Sequence, residues 1–171
     1  AIGQLGLWKK GGPAPDEATL RSWKGNLAIA NARTAPYGAA AMATLTHLKI
    51  DPKQYRLLTG ANIGQTWQFV DTGNAELGFV ALSQVIGAGP PQANDAPLGG
   101  RSPQATRGPA SMPGKPATGS FWRVPASLHP EIRQDAVLLK PGEKSAAAAA
   151  LLAYLKSPAA RAVIQAWGYG S

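Results

Sequence analysis

The sequence predicts an α/β lobe, a mixed and mostly parallel sheet flanked by helices, and three observations carry that expectation. Residues 27–31 and 77–81 are short apolar runs of strand length, each bounded by turn residues. Between and around them lie stretches opened by helix-start signals: Asp16 before Glu17, Pro36 after Ala35, Ser157 before Pro158. Strands and helices alternating at this spacing read as α/β units, and 171 residues suffice for one domain with a fraction to spare.

The elements follow in order. Residues 2–8 form a strand with Ile2, Leu5 and Leu7 as its apolar members, and residues 9–15 are a Gly/Pro loop. Asp16 caps a short helix over 17–23, with Glu17 in the first turn where the helix dipole favours it. The strand 27–31 is followed by a helix whose body runs over 39–48, with Ala40, Met42, Leu45 and Leu48 as its apolar face. Asp51-Pro52 opens a further short helix to residue 58, and residues 59–62 are extended. A helix over 66–71 follows Ile63-Gly64-Gln65, and the strand 77–81 comes after the turn residues Gly73 and Asn74.

Gly and Pro make up 14 of the 33 residues from 87 to 119, too many for any regular element, so this stretch is expected to be a flexible loop or linker. Structure resumes at Phe121-Trp122-Arg123-Val124, and residues 136–139 form another apolar strand. Residues 143–155 are an alanine-rich helix with a stripe of Leu151, Leu152 and Leu155. A final helix over 159–167 is stopped by Gly168. The organisation expected is thus a lobe over residues 1–86, the linker 87–119, and return strands with two helices over 120–171.

Composition narrows the functions. Seventeen Lys and Arg against nine Asp and Glu give a net charge of +8, which favours anionic partners. The basic residues are scattered, with Lys9-Lys10 the nearest thing to a cluster and no aromatic residues interleaved as in a nucleic-acid module. Most of them therefore read as solvated surface. There is no cysteine, which excludes disulfides and thiolate metal sites. The apolar run 146–152 is far too short to span a membrane, and the first residues lack the basic-then-apolar pattern of a signal peptide. His47 and His129 are isolated, and no nucleophile–base pair stands out, so nothing points to an enzyme.

The chain is organised around Thr34-Ala35-Pro36-Tyr37-Gly38, where a strand feeds a helix. Proline at the first helical position is expected to leave the amides of Tyr37, Gly38 and Ala39 without intrahelical partners, at the positive end of the dipole. Gly38 has no side chain to keep a ligand from the backbone. Such a junction is an anion site in waiting, or else an ordinary turn with its amides in water. A second junction, Ile63-Gly64-Gln65 leading into the helix from residue 66, repeats the arrangement. Both would lie at the carboxyl ends of parallel strands, where ligands of open α/β sheets bind.

Five segments in order resemble the molybdate-binding proteins of bacterial ABC importers. These are Ala1-Ile2-Gly3-Gln4-Leu5, the Tyr37 junction, Asn74-Ala75-Glu76-Leu77-Gly78-Phe79-Val80-Ala81, then Ser127-Leu128-His129-Pro130 through Arg133-Gln134-Asp135-Ala136-Val137, and Tyr154-Leu155-Lys156-Ser157-Pro158. The resemblance implies a lobe of a type II periplasmic binding protein that holds a tetrahedral oxyanion, molybdate or tungstate, with neutral donors. It implies periplasmic residence, a membrane permease as partner, no cofactor, no direct protein–metal ligands, and no nucleic acid. It places Tyr37 and Ile63 at ligand-contacting positions, and their neighbours Pro36, Gly38 and Asn62 complete the candidate set. Some relatives carry a tyrosine where Ala81 stands, and this chain is similar to those that carry it at Tyr37. The family's first-lobe segment, with its Ser, Thr or Asn donors, has no counterpart here. Half of the cleft is therefore expected, with tight binding only where a second chain or copy supplies the rest, and with exposed apolar surface that favours self-association or poor solubility. The alternatives are a lobe with little anion affinity, or a basic module for nucleic acid or an acidic surface.

Overall fold

The computed structural model describes residues 1–86 and 120–170. The linker expected over 87–119 lies outside the described residues.

The first surprise is at the start. Instead of one strand over 2–8, β1 (Ile2–Gly3) and β2 (Leu5–Lys9) belong to different sheets, with the chain changing partners at Gln4. Next come α1 (Glu17–Ser22), β3 (Asn26–Ala30) and α2 (Pro36–His47). Asp16 Oδ1 caps α1 by accepting from the Thr19 amide at 2.6 Å, as its sequence position predicts.

The helix expected from Asp51 to residue 58 does not form. Only a 3-10 turn, Pro52–Gln54, follows the cap, and then the chain enters β4 (Arg56–Gly60). The helix-start signal is real, since Asp51 Oδ1 accepts from the Lys53 amide at 2.9 Å. Pairing overrides it: β4 lies parallel to β3, in register from Asn26 opposite Arg56 to Ala30 opposite Gly60. Then follow α3 (Ile63–Asp71), beginning three residues earlier than expected, β5 (Leu77–Ala81), with the expected bounds, and a short unanticipated α4 (Leu82–Ile86).

After the undescribed stretch come β6 (Ser120–Arg123), β7 (Ile132–Arg133), α5 (Ala146–Leu155) and α6 (Pro158–Ala166). Ser145 and Ser157 cap the last two helices, so α5 starts after residue 143 and α6 at its proline. Residues 136–139 form no strand, because no neighbouring strand pairs with them; Val137 is 79% exposed.

The main sheet has the order β4-β3-β5-β2-β6. β3, β4 and β5 are parallel, and β2 runs antiparallel to both β5 and β6. Strand alternation sorts its residues into two cores. Leu5, Leu7, Leu27, Ile29, Leu77 and Phe79 face α1 and α2, with Leu20, Ala41 and Leu45 among their neighbours. Trp8, Ala28 and Val80 face α3 and α4, against Val70, Leu82 and Val85. On that side the Trp8 and Trp67 rings stack at 5.9 Å, and neither buried indole N–H has a partner among the described residues. The second sheet pairs β1 with β7 and gains Gly170, which exchanges both backbone hydrogen bonds with Ile2. No single helix among the described residues is long and apolar enough to cross a membrane.

Candidate functional site

Parallel pairing puts the carboxyl ends of β3, β4 and β5 on one edge of the sheet, and Leu5 of antiparallel β2 arrives there opposite Ala81. The β3–α2 and β4–α3 junctions are therefore neighbours, tied directly by the Asn31 amide donating to the Gly60 carbonyl at 2.8 Å. Both expected junctions exist and adjoin.

Their free donors are fewer than the sequence suggested. At the first junction the amides of Gly38 and Ala39 both donate to the Ala35 carbonyl, at 2.9 and 3.1 Å. Proline has no N–H, so Tyr37 alone keeps an amide without a partner among the described residues. At the second junction Asn62 Oδ1 takes the Gln65 amide at 2.9 Å and the Asn62 carbonyl takes that of Thr66 at 3.1 Å. Ile63 and Gly64 are left without partners among the described residues. Gln65 Oε1 in turn accepts from the Ala61 amide at 2.6 Å, which fixes the entry to α3.

A cavity of about 500 Å³ sits at this edge. The helix starts contribute Tyr37 and Ile63, the end of β5 and the start of α4 contribute Ala81, Ser83 and Gln84, and the C-terminal stretch contributes Gln134, Trp167 and Tyr169. None of these side chains carries a formal charge at neutral pH. Tyr37 is buried in its body, and its hydroxyl has no hydrogen-bond partner among the described residues. Burial, and secondarily the nearby Tyr169, push the phenol well above its ordinary pKa, so it remains a neutral donor across physiological pH. Gln84 is held in two places: its Oε1 accepts from the Ala81 amide at 3.0 Å and its Nε2 donates to the Ile63 carbonyl at 3.4 Å.

Of the five residues singled out in the sequence, the structure brings Tyr37 and Ile63 together on this cavity. Pro36 lies instead on a shallow hollow with Arg33 and Thr34. Gly38 gives close approach to the chain's own backbone: an added Cβ would run into the Ala30 carbonyl. Asn62 is the cap of α3. Ser83 and Gln84 were within reach of sequence reasoning, since they follow directly on a strand whose bounds were legible. Gln134, Trp167 and Tyr169 were not, because only tertiary pairing brings them to this edge. A second hollow of about 370 Å³ carries the exposed Lys156 and Arg161 and shares no lining residue with the first. Among the described residues no three His, Asp or Glu side chains gather as metal ligands would.

A mixed sheet with helices on both faces thus carries, over two adjoining helix starts, a cavity with no charged side chain among its described lining residues, the architecture of one lobe of a binding protein. Residues 1–170 match the family described as bacterial extracellular solute-binding protein, and the chain belongs to that family. It is 43% identical over 175 residues to the molybdate-binding protein ModA of Azotobacter vinelandii, and 38% identical over 172 residues to that of Rhodobacter capsulatus. Each match covers 99% of this chain, but the chain spans only 59% and 57% of those two relatives. The structure of the Azotobacter vinelandii periplasmic molybdate-binding protein superposes with a TM-score of 0.73 at 34% identity, covering 100% of this chain and 66% of that one. A substrate-binding domain from Clostridium difficile shares the fold, with a TM-score of 0.66 at 18% identity over 99% of this chain and 64% of its own. The fold is that of a type II periplasmic binding protein.

Proposed function

We propose that this chain is the solute-binding component, or one lobe of it, of a molybdate or tungstate ABC importer. The observation that carries this reading is a cavity of about 500 Å³ with no charged side chain among its described lining residues, on which Tyr37 and Ile63 meet, each with an amide that has no partner among the described residues. Helix N-termini favour an anion without fixed positive charge, and a protonated phenol adds a donor that burial keeps neutral. The two ModA relatives are named as molybdate-binding, which supports the same ligand class here.

In this proposal Tyr37 and Ile63 hold the oxyanion, while Pro36, Gly38 and Asn62 shape the two helix starts that present them. The chain acts in the periplasm, delivers its ligand to a membrane permease, carries out no catalysis and needs no cofactor. A second chain or copy contributes the donors of a facing lobe. Residues 1–86 and 120–171 form one binding lobe, joined by 87–119.

The test is a thermal-shift titration with molybdate, tungstate, sulfate and phosphate at constant ionic strength. A ligand at a hundred times its dissociation constant stabilises the native state by about 2.7 kcal/mol. A rise with molybdate and tungstate alone is the expected result, and no rise with any of the four overturns the reading. Tyr37→Phe is expected to weaken binding by about tenfold, as befits a lost hydrogen bond to a charged acceptor. Unchanged affinity would remove the hydroxyl from the site.

A further inference from the structure

We propose that Tyr169 is a further ligand-binding residue of this site, a second phenol that donates to the same bound tetrahedral dianion as Tyr37. The inference rests on the anion-binding reading above, and adds to it a residue 132 positions away from Tyr37 in the chain.

Three contacts bring the two phenols to one place. The Tyr37 hydroxyl lies against Gly3, close enough that a Cβ there would collide with it. Beside Gly3, Ile2 donates to the Gly170 carbonyl at 2.9 Å and accepts from the Gly170 amide at 2.7 Å. Tyr169 is the residue next to that pair, and it lines the same cavity as Tyr37.

Its orientation is also held. Gly168 has φ +79°, a conformation that favours glycine, and an added Cβ would meet Ile86 Cδ1 at 2.8 Å. The turn that ends α6 is thus seated closely on α4, the helix that carries Ser83. Ser83 Oγ and Tyr169 Oη lie 3.5 Å apart, a long contact in which either hydroxyl can donate. An oxyanion in the cavity, which can only accept, draws the phenol proton to itself and leaves Tyr169 Oη to accept from Ser83. Because no cation lines the cavity among the described residues, each hydroxyl aimed at the ligand carries a large share of the affinity.

The experiment is isothermal titration of the full chain with sodium molybdate, using wild type, Tyr169→Phe, Ser83→Ala and the double variant. Phenylalanine keeps the ring that packs at the C-terminus, so the ligand-free unfolding midpoint should hold within about 2 °C. Tyr169→Phe is expected to weaken molybdate binding about tenfold, and Ser83→Ala about threefold. Ser83→Ala should cost nothing further in the Tyr169→Phe background, since it acts through that phenol. Affinity of Tyr169→Phe within twofold of wild type overturns this proposal and leaves the anion site standing. Should Tyr169→Phe fold poorly, Ser83→Ala decides alone: binding equal to wild type overturns the proposal. Wild type that gives no heat with molybdate, and no shift with any of the four anions in the thermal titration, overturns both readings together.

Discussion

The main sheet and the C-terminal helices are both rich in apolar residues and opposite in what they do with them. In the sheet, all five residues of β5 are buried, and Leu5, Leu7, Leu27 and Phe79 have no exposed surface. In α5 no residue is buried; Leu151 is 58% exposed and Tyr154 54%. Val163 on α6 and Val137 and Leu139 before α5 are open to a similar degree. The same residue types therefore contribute stability in one region and little in the other. What differs is whether another element covers them, and exposed apolar side chains grouped this way are suited to contact with a further surface.

The largest expected effect breaks the sheet side of that contrast. Phe79→Ala removes a fully buried ring from the middle of β5, between Leu7 of β2 and the α1–α2 layer, and should cost about 4 kcal/mol. Denaturant unfolding followed by circular dichroism measures it. A loss below about 1 kcal/mol would mean that the core is much looser than its burial implies. Next comes Gly38→Ala, expected to cost about 2 kcal/mol. Its methyl would press on the Ala30 carbonyl, and backbone cannot yield as a flexible side chain does. The same substitution tests the role of Gly38: a purely structural glycine loses stability first, and ligand affinity only as Tyr37 shifts with α2.

Smaller again is Asn62→Ala, which removes the acceptor for the Gln65 amide at the start of α3 and should cost about 1 kcal/mol. It sharpens the comparison when set beside Ser145→Ala. That change removes a longer cap contact, 3.3 Å, from a helix with no buried face, and should cost less than half as much. Equal losses would show that cap strength alone, rather than what the helix packs on, sets the value.

The same contrast explains what could be read from the sequence. Leu77 to Ala81 was legible to the residue because a strand buried on both faces is a continuous apolar run with turn residues before it. α1 and α6 were legible from the chemistry of Asp16 and Ser157-Pro158, and α3 from residue 66 onward, its Asn62 cap having been read as extended chain. Residues 56–60 were misread as helix because Asp51-Pro52 is a true helix-start signal, cut short by a strand partner that no local pattern reveals. Residues 136–139 erred the other way, as apolar chain with strand character and no partner strand. On the cavity, Tyr37 was within reach because it follows the legible strand 27–31, whereas the strand before Ile63 was misread and Ile63 was reached only through its glycine-flanked helix start and the family resemblance. Tyr169 and Gln134 depend on the β1–β7 pairing and on the Gly170 bridge, which are contacts between distant segments.

The smallest expected effect lies on α5 and tests the other side of the contrast. Leu151→Gln replaces a largely exposed leucine with a residue of similar helix propensity, so unfolding stability should move by less than about 0.5 kcal/mol. Dilute and concentrated samples of wild type should then differ where those of the variant do not. If the apolar stripe of Leu151, Tyr154 and Leu155 meets a second surface in solution, sedimentation velocity of wild type shows concentration-dependent association that Leu151→Gln reduces. A loss of about 2 kcal/mol or more in a dilute sample would instead mean that the leucine is covered within this chain. In that case α5 would belong with the sheet, as a packed element, and the contrast between the two regions would fail.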